Sequence, residues 1–231
     1  MLPPLKEHLA YRLVLAGVAG CLAAWVYLPE GFFQGPHDIL GWYLPGTVFG
    51  LLVLLPLLED PVRHWFRSAI LLCAATIAHL AMWTTGFLML YALEYFQLVE
   101  SETGLTVVLG GSSGLVFGVI VALATTRTLD IRFVWYNWIA VALISALGGS
   151  IFAGIILNQW EFLGHFLRIS VISDFDVYVA YMILYLVYAM VFTIGKQQPL
   201  AKPKRVDMVL LGGLVLLTPL CVALLSVVDM R

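Results

Sequence analysis

The chain has 231 residues, of which 62% are hydrophobic and 11% charged, and its net charge is −2. Soluble domains run about half apolar and a quarter charged, so this chain lacks the polar surface to cover itself in water. With no basic tail or arginine-rich run, nucleic acid is excluded as a partner.

Seven apolar blocks follow one another, at roughly 12–28, 40–57, 68–93, 104–125, 133–157, 177–195 and 207–228. Each is long enough to cross a hydrocarbon core of ~30 Å, which takes ~20 helical residues. None shows the period-two alternation of barrel strands, so the crossings are expected to be helices. The expected fold is all-α: a single transmembrane domain over 1–231, a polytopic bundle of about seven helices.

The first block contains Val18-Ala19-Gly20-Cys21, which resembles a lipoprotein cleavage box, but its apolar run continues through Leu28. It is read as the first membrane helix rather than a cleaved signal. Turn and breaker residues separate the blocks: Pro29, Gly31, Gly35 and Pro36, then Pro61, and later Pro199 and Pro203. Cys21, Cys73 and Cys221 fall inside apolar blocks without CxxC spacing and read as small packing residues.

Basic residues alternate from loop to loop. Lys6, Arg12, Arg63, Arg67, Arg127, Arg132, Lys196, Lys202, Lys204 and Arg205 fall on one side, and only Arg168 and Arg231 on the other. Because lysine and arginine near short loops stay in the cytoplasm, the N-terminus is expected there and the C-terminus outside. The expected location is the plasma membrane, or the inner membrane of a bacterium. Trp42, Tyr43, Trp65, Tyr91, Tyr95, Trp135, Tyr136 and Trp138 stand near the predicted interfaces.

The third block holds His79 near its middle, where ionisable groups are costly and often functional. At 100° per residue it shares a face with Ala75, Thr76, Met82, Trp83 and Gly86. A histidine there serves as a ligand, proton relay or base, or else as a neutral imidazole bonded to Thr76 or to a neighbouring helix. No second intramembrane histidine completes a bis-histidine site, which favours the packing role.

In the fourth block Gly110, Gly114, Gly118 and Ala122 recur every four residues and make a smooth stripe for close helix packing. Ala142, Ala146, Ser150 and Gly154 form a similar stripe on the fifth block, and Ala16, Gly20 and Ala24 on the first. The fourth and fifth helices are therefore expected to pair. Gly111-Ser112-Ser113-Gly114, followed by Phe117 and Gly118, resembles the GxSG motif of the rhomboid intramembrane serine proteases. The resemblance implies Ser113 as nucleophile, on a helix running inward from the outer face, which is the direction the charge asymmetry gives this block. It also implies a histidine base on the second helix after the serine. Block 177–195 has no histidine, and Ala146-Leu147-Gly148-Gly149 carries alanine in the histidine position of a similar family motif. The enzymatic expectation therefore rests on Ser113 with His79 as a substitute base.

Tyr178, Tyr181, Tyr185 and Tyr188 of the sixth block fall within an arc of ~80°. They either line a pocket for a lipid, a quinone-like ring or a cation, or pack between helices with their hydroxyls satisfied. His37, Asp38, Glu161, His165, Asp174 and Asp176 gather on the outer side without metal-ligand spacing, so a solvated acidic surface is expected there and no metal or cofactor. Three functional classes follow. The first is a non-catalytic component binding membrane lipids or other membrane subunits. The second is a small transporter or channel, using Pro45 and Gly46, Gly148 and Gly149, and Thr218 and Pro219 as helix interruptions. The third is the Ser113 protease or an inactive relative.

Overall fold

The computed structural model describes residues 9–27, 39–58, 60–96, 102–129, 133–156 and 173–191, with single helical residues at 209 and 213. Its α-helices are α1 (Leu9–Tyr27), α2 (Ile39–Phe49), α3 (Trp65–Phe96), α4 (Glu102–Thr128), α5 (Trp135–Ile156) and α6 (Ser173–Val191). Each lies on one of the first six apolar blocks. Apart from Val209 and Gly213, the block at 207–228 lies outside the described residues, and the seventh crossing with it.

Three stretches are long and apolar enough to cross a membrane: Trp65–Leu93, Gly104–Thr128 and Trp135–Ile155. Shorter apolar stretches occupy Ala10–Trp25, Tyr43–Leu57 and Tyr178–Ala189. At 32 residues α3 is ~48 Å long, more than the ~30 Å of hydrocarbon. It therefore overruns the predicted block at both ends, and Trp65 and Tyr95 are exposed there.

α2 is the irregular helix. It carries Pro45 inside, then widens into a π turn over Gly50–Leu54 and tightens into a 3₁₀ turn over Leu55–Leu57. Pro56 explains the change, because in an α-helix its ring would collide with the carbonyl four residues back and it has no N–H to donate. The chain re-enters helix at α3 through Asp60, whose Oδ1 accepts from the Arg63 N–H at 3.0 Å. At the start of α5 the Asn137 Oδ1 accepts from the Val134 N–H at 3.0 Å, the reach-back of a capping box. Arg67, nearly fully buried, donates to the Thr128 carbonyl and so places a cation on the C-terminal end of α4.

The six helices close a circuit of neighbours: α1 on α2, α2 on α3, α3 on α4, α4 on α5, α5 on α6 and α6 on α1. Phe49, Phe117, Tyr181, Tyr185 and Tyr188 are fully buried inside it. Their rings interlock α2, α4 and α6, with centroids 4.7 Å apart for Phe49–Tyr185 and 4.4 Å for Phe117–Tyr188. On the outside, large apolar side chains stand exposed in rows: Val14, Val18, Leu22 and Trp25 along α1, and Ile139, Leu143 and Leu147 along α5.

The expected pairing of α4 with α5 is present, through a face that includes Ala146 and Ser150 of the predicted stripe but centres one residue away. A Cβ on Gly110 would run into the Gly149 carbonyl, and one on Gly114 into the Ser145 carbonyl. The facing row is thus Ser145, Gly149 and Ala153, about 100° round the helix from Ala142, Ala146, Ser150 and Gly154. Gly149 decides the rotation, since only a glycine there lets the two backbones touch. Ser150 still reaches across, its Oγ donating to the Val107 carbonyl at 3.2 Å. Gly20 plays the same part between α1 and α6, where a Cβ would lie 2.5 Å from the Met182 Cα.

Candidate functional site

Hydroxyls in the middle of an apolar helix ordinarily bond back to a carbonyl one turn earlier, because no water reaches them. α3 follows this rule: Thr76 Oγ1 donates to the Leu72 carbonyl at 2.9 Å and Thr84 Oγ1 to that of Leu80 at 2.9 Å. Thr76 also meets Thr47 Oγ1 of α2 at 3.0 Å. The expected bond from Thr76 to His79 is therefore replaced by a link to α2.

His79 is fully buried and bonds within its own helix, one turn onward. Trp83 Nε1 donates to His79 Nε2 at 3.2 Å. A neutral imidazole that accepts at Nε2 carries its hydrogen on Nδ1, and Nδ1 is buried without a hydrogen-bond partner among the described residues. The surroundings are tight. A Cβ on Gly46 would lie 2.8 Å from the His79 Cβ and 2.6 Å from the Ala75 carbonyl, and the Tyr181 ring centroid is 6.0 Å away.

Ser113 lies elsewhere, on the wall of a cavity of about 120 Å³ between α3, α4 and α5. Trp83, Gly86 and Phe87 line it from α3, Gly110 and Ser113 from α4, and Phe152 from α5. Ser113 Oγ is 3.0 Å from where a Gly86 Cβ would be. Gly86 follows His79 by two turns of α3, about 10.5 Å along the axis, and Trp83 stands between them. The structure thus brings Ser113 and Trp83 to one cavity and keeps His79 below the indole, with its Nε2 lone pair already engaged. A serine hydroxyl needs a base within hydrogen-bond reach to become a nucleophile, and among the described residues none lines the cavity.

No family model matches the chain, and no curated protein or solved structure is similar to it. The site therefore stands on its geometry alone.

The tyrosine row of α6 faces the interior of the circuit. Tyr185 donates to the Pro45 carbonyl of α2 at 2.6 Å and Tyr188 to the Gly114 carbonyl of α4 at 2.7 Å. Tyr181 packs edge-on against Phe152 at 5.1 Å, and Tyr178 is half-buried. None of the four lines the cavity. His37, Asp38, Glu161 and His165 lie outside the described residues, as do the side chains of Asp174 and Asp176. Among the described residues no three histidine, cysteine or carboxylate side chains could hold a metal.

Trp83, Gly86, Phe87 and Phe152 are the site residues that motif reading does not reveal. Trp83 and Gly86 share the His79 face by spacing alone, which marks them as neighbours without showing an empty space beside them. Phe152 carries no local signal, since its place at the cavity depends on the rotation of α5 that Gly149 sets.

Proposed function

We propose that the chain is a non-catalytic integral membrane component that acts by binding lipids or partner helices. In this reading it crosses the plasma membrane, or the inner membrane of a bacterium, seven times, with the N-terminus in the cytoplasm and the C-terminus outside. The observation that carries the reading is the inverted distribution of polarity. Leu143 and Leu147 are 66% and 62% exposed on α5, while His79, Thr106, Thr125 and Ser145 are fully buried. Rows of exposed leucine and valine of this length are stable facing lipid and promote aggregation facing water.

Two further features support binding over turnover or transport. The lone pair a base would use at His79 is occupied by Trp83. The interior of the circuit is filled by Phe49, Phe117 and three tyrosines, with the hydroxyls of Tyr185 and Tyr188 on backbone carbonyls, a packing that leaves little room for a polar path.

Two measurements test this. Reporter fusions after Val62, Asp130 and Lys202 are expected to read as cytoplasmic, and those after Glu100 and Arg231 as external. A break in that alternation overturns the seven-span topology. A fluorophosphonate probe is expected to leave Ser113 unlabelled in native membranes, and labelling abolished by Ser113→Ala overturns the non-catalytic reading.

A further inference from the structure

Ser113, like the fully buried Ser145 of α5, lacks the bond that most neighbouring hydroxyls make. Ser112 Oγ donates to the Leu109 carbonyl at 3.1 Å, Ser150 Oγ to that of Ala146 at 2.9 Å, and Thr47, Thr76, Thr84, Thr125 and Thr128 all bond back in the same way. Ser113 Oγ makes no hydrogen bond among the described residues, although the side chain is only 9% exposed. Ser113 is one of the residues that line the cavity, with its Oγ beside Gly86. A buried hydroxyl without a partner is unfavourable, and one beside an apolar space is accounted for by a partner that enters the space.

The space has a definite size and character. At about 120 Å³ it is comparable with the ~150 Å³ apolar cavity that takes up benzene. Its walls are aromatic, with Trp83 and Phe87 stacked at 6.0 Å and 29°, and Phe152 edge-on to Trp83 at 6.1 Å. Met82, Leu90, Leu109 and Ala153 complete the apolar lining, with Gly86, Gly110 and Gly149 between them. Apart from the indole edge bonded to His79, Ser113 supplies the polar side-chain group of the lining.

We propose that this cavity binds a single ring of a lipophilic small molecule bearing one hydrogen-bonding oxygen, phenol- or quinone-like in chemistry, with Ser113 Oγ as its polar contact. The proposal deepens the binding role given above and rests on it for access, since such a ligand reaches the cavity from the lipid phase. A single ring matches the size of the space and can pack against Trp83, Phe87 and Phe152, and one oxygen matches one hydroxyl.

The test uses the full chain in lipid nanodiscs with 4-fluorophenol and fluorobenzene as probes, followed by fluorine NMR. Wild type is expected to bind both, with 4-fluorophenol the tighter. Ser113→Ala is expected to weaken 4-fluorophenol about fivefold, the worth of one neutral hydrogen bond, and to leave fluorobenzene unmoved. Gly86→Leu is expected to abolish both, because a side chain there meets only the Ser113 hydroxyl before it fills the cavity. No saturable binding to wild type overturns the proposal, and so does binding that neither variant changes. A Ser113→Ala variant that binds 4-fluorophenol as wild type does refutes the polar contact even if Gly86→Leu does not fold. Failure here with the reporter topology intact refutes the cavity ligand alone, whereas a broken topology refutes the membrane reading.

Discussion

α4 meets its two neighbours in opposite ways. Toward α5 its glycines bring backbone against backbone, so that a methyl group on Gly110 or Gly114 has nowhere to go. Toward α3, Gly86 and Ser113 sit side by side in the lining of the cavity, and a methyl on Gly86 would meet a hydroxyl alone, at 3.0 Å. Glycine in the first contact sets the distance between two helices, and in the second it keeps a space open. The difference separates glycines that set a helix seam from one that borders open space, without any appeal to the GxSG motif that both surround.

The sharpest way to break this comparison is at Gly114. Gly114→Ala is expected to cost about 3 kcal/mol, because the opposing Ser145 carbonyl and Gly149 backbone cannot move aside as a side chain can. Reversible unfolding by SDS in mixed micelles measures it. Tyr188→Phe should lose about 1 kcal/mol in the same assay, the value of the hydroxyl donated to the Gly114 carbonyl. Gly86→Ala is expected to change sign and add about 0.5 kcal/mol, since alanine is the better helix former and Ser113 can rotate away. Ser113→Ala should fall within about 0.5 kcal/mol of wild type, because no bond is lost. Equal effects at Gly114 and Gly86 would remove the distinction between seam and cavity.

Much of the helical framework is legible in the sequence because length and apolarity are local properties. Blocks 104–125 and 133–157 reappear as α4 and α5 with shifts of a few residues, whereas the irregular end of α2 at Pro56 falls inside block 40–57, read as one crossing. The centre of the α5 face that meets α4 is not legible. Ala142, Ala146, Ser150 and Gly154 look as small as Ser145, Gly149 and Ala153, and only the glycines of the partner choose between them. His79 shows the same limit. Its burial follows from its place in an apolar block, but its partner depends on the indole one turn away competing with Thr76, which Thr47 of another helix has already engaged. The cavity is the least legible feature, being a space bounded by Gly86, Ser113 and Phe152 on three helices whose registers are set elsewhere.

A membrane protein of this kind must turn its apolar rows to lipid and its polar groups inward. Spin labels at Leu143→Cys and Leu147→Cys, in a background with Cys21, Cys73 and Cys221 replaced by alanine, test this orientation directly in reconstituted bilayers. Strong relaxation by dissolved oxygen and almost none by a water-soluble nickel chelate is expected at both sites. Relaxation by the nickel chelate at either site would place that face in water and contradict the orientation.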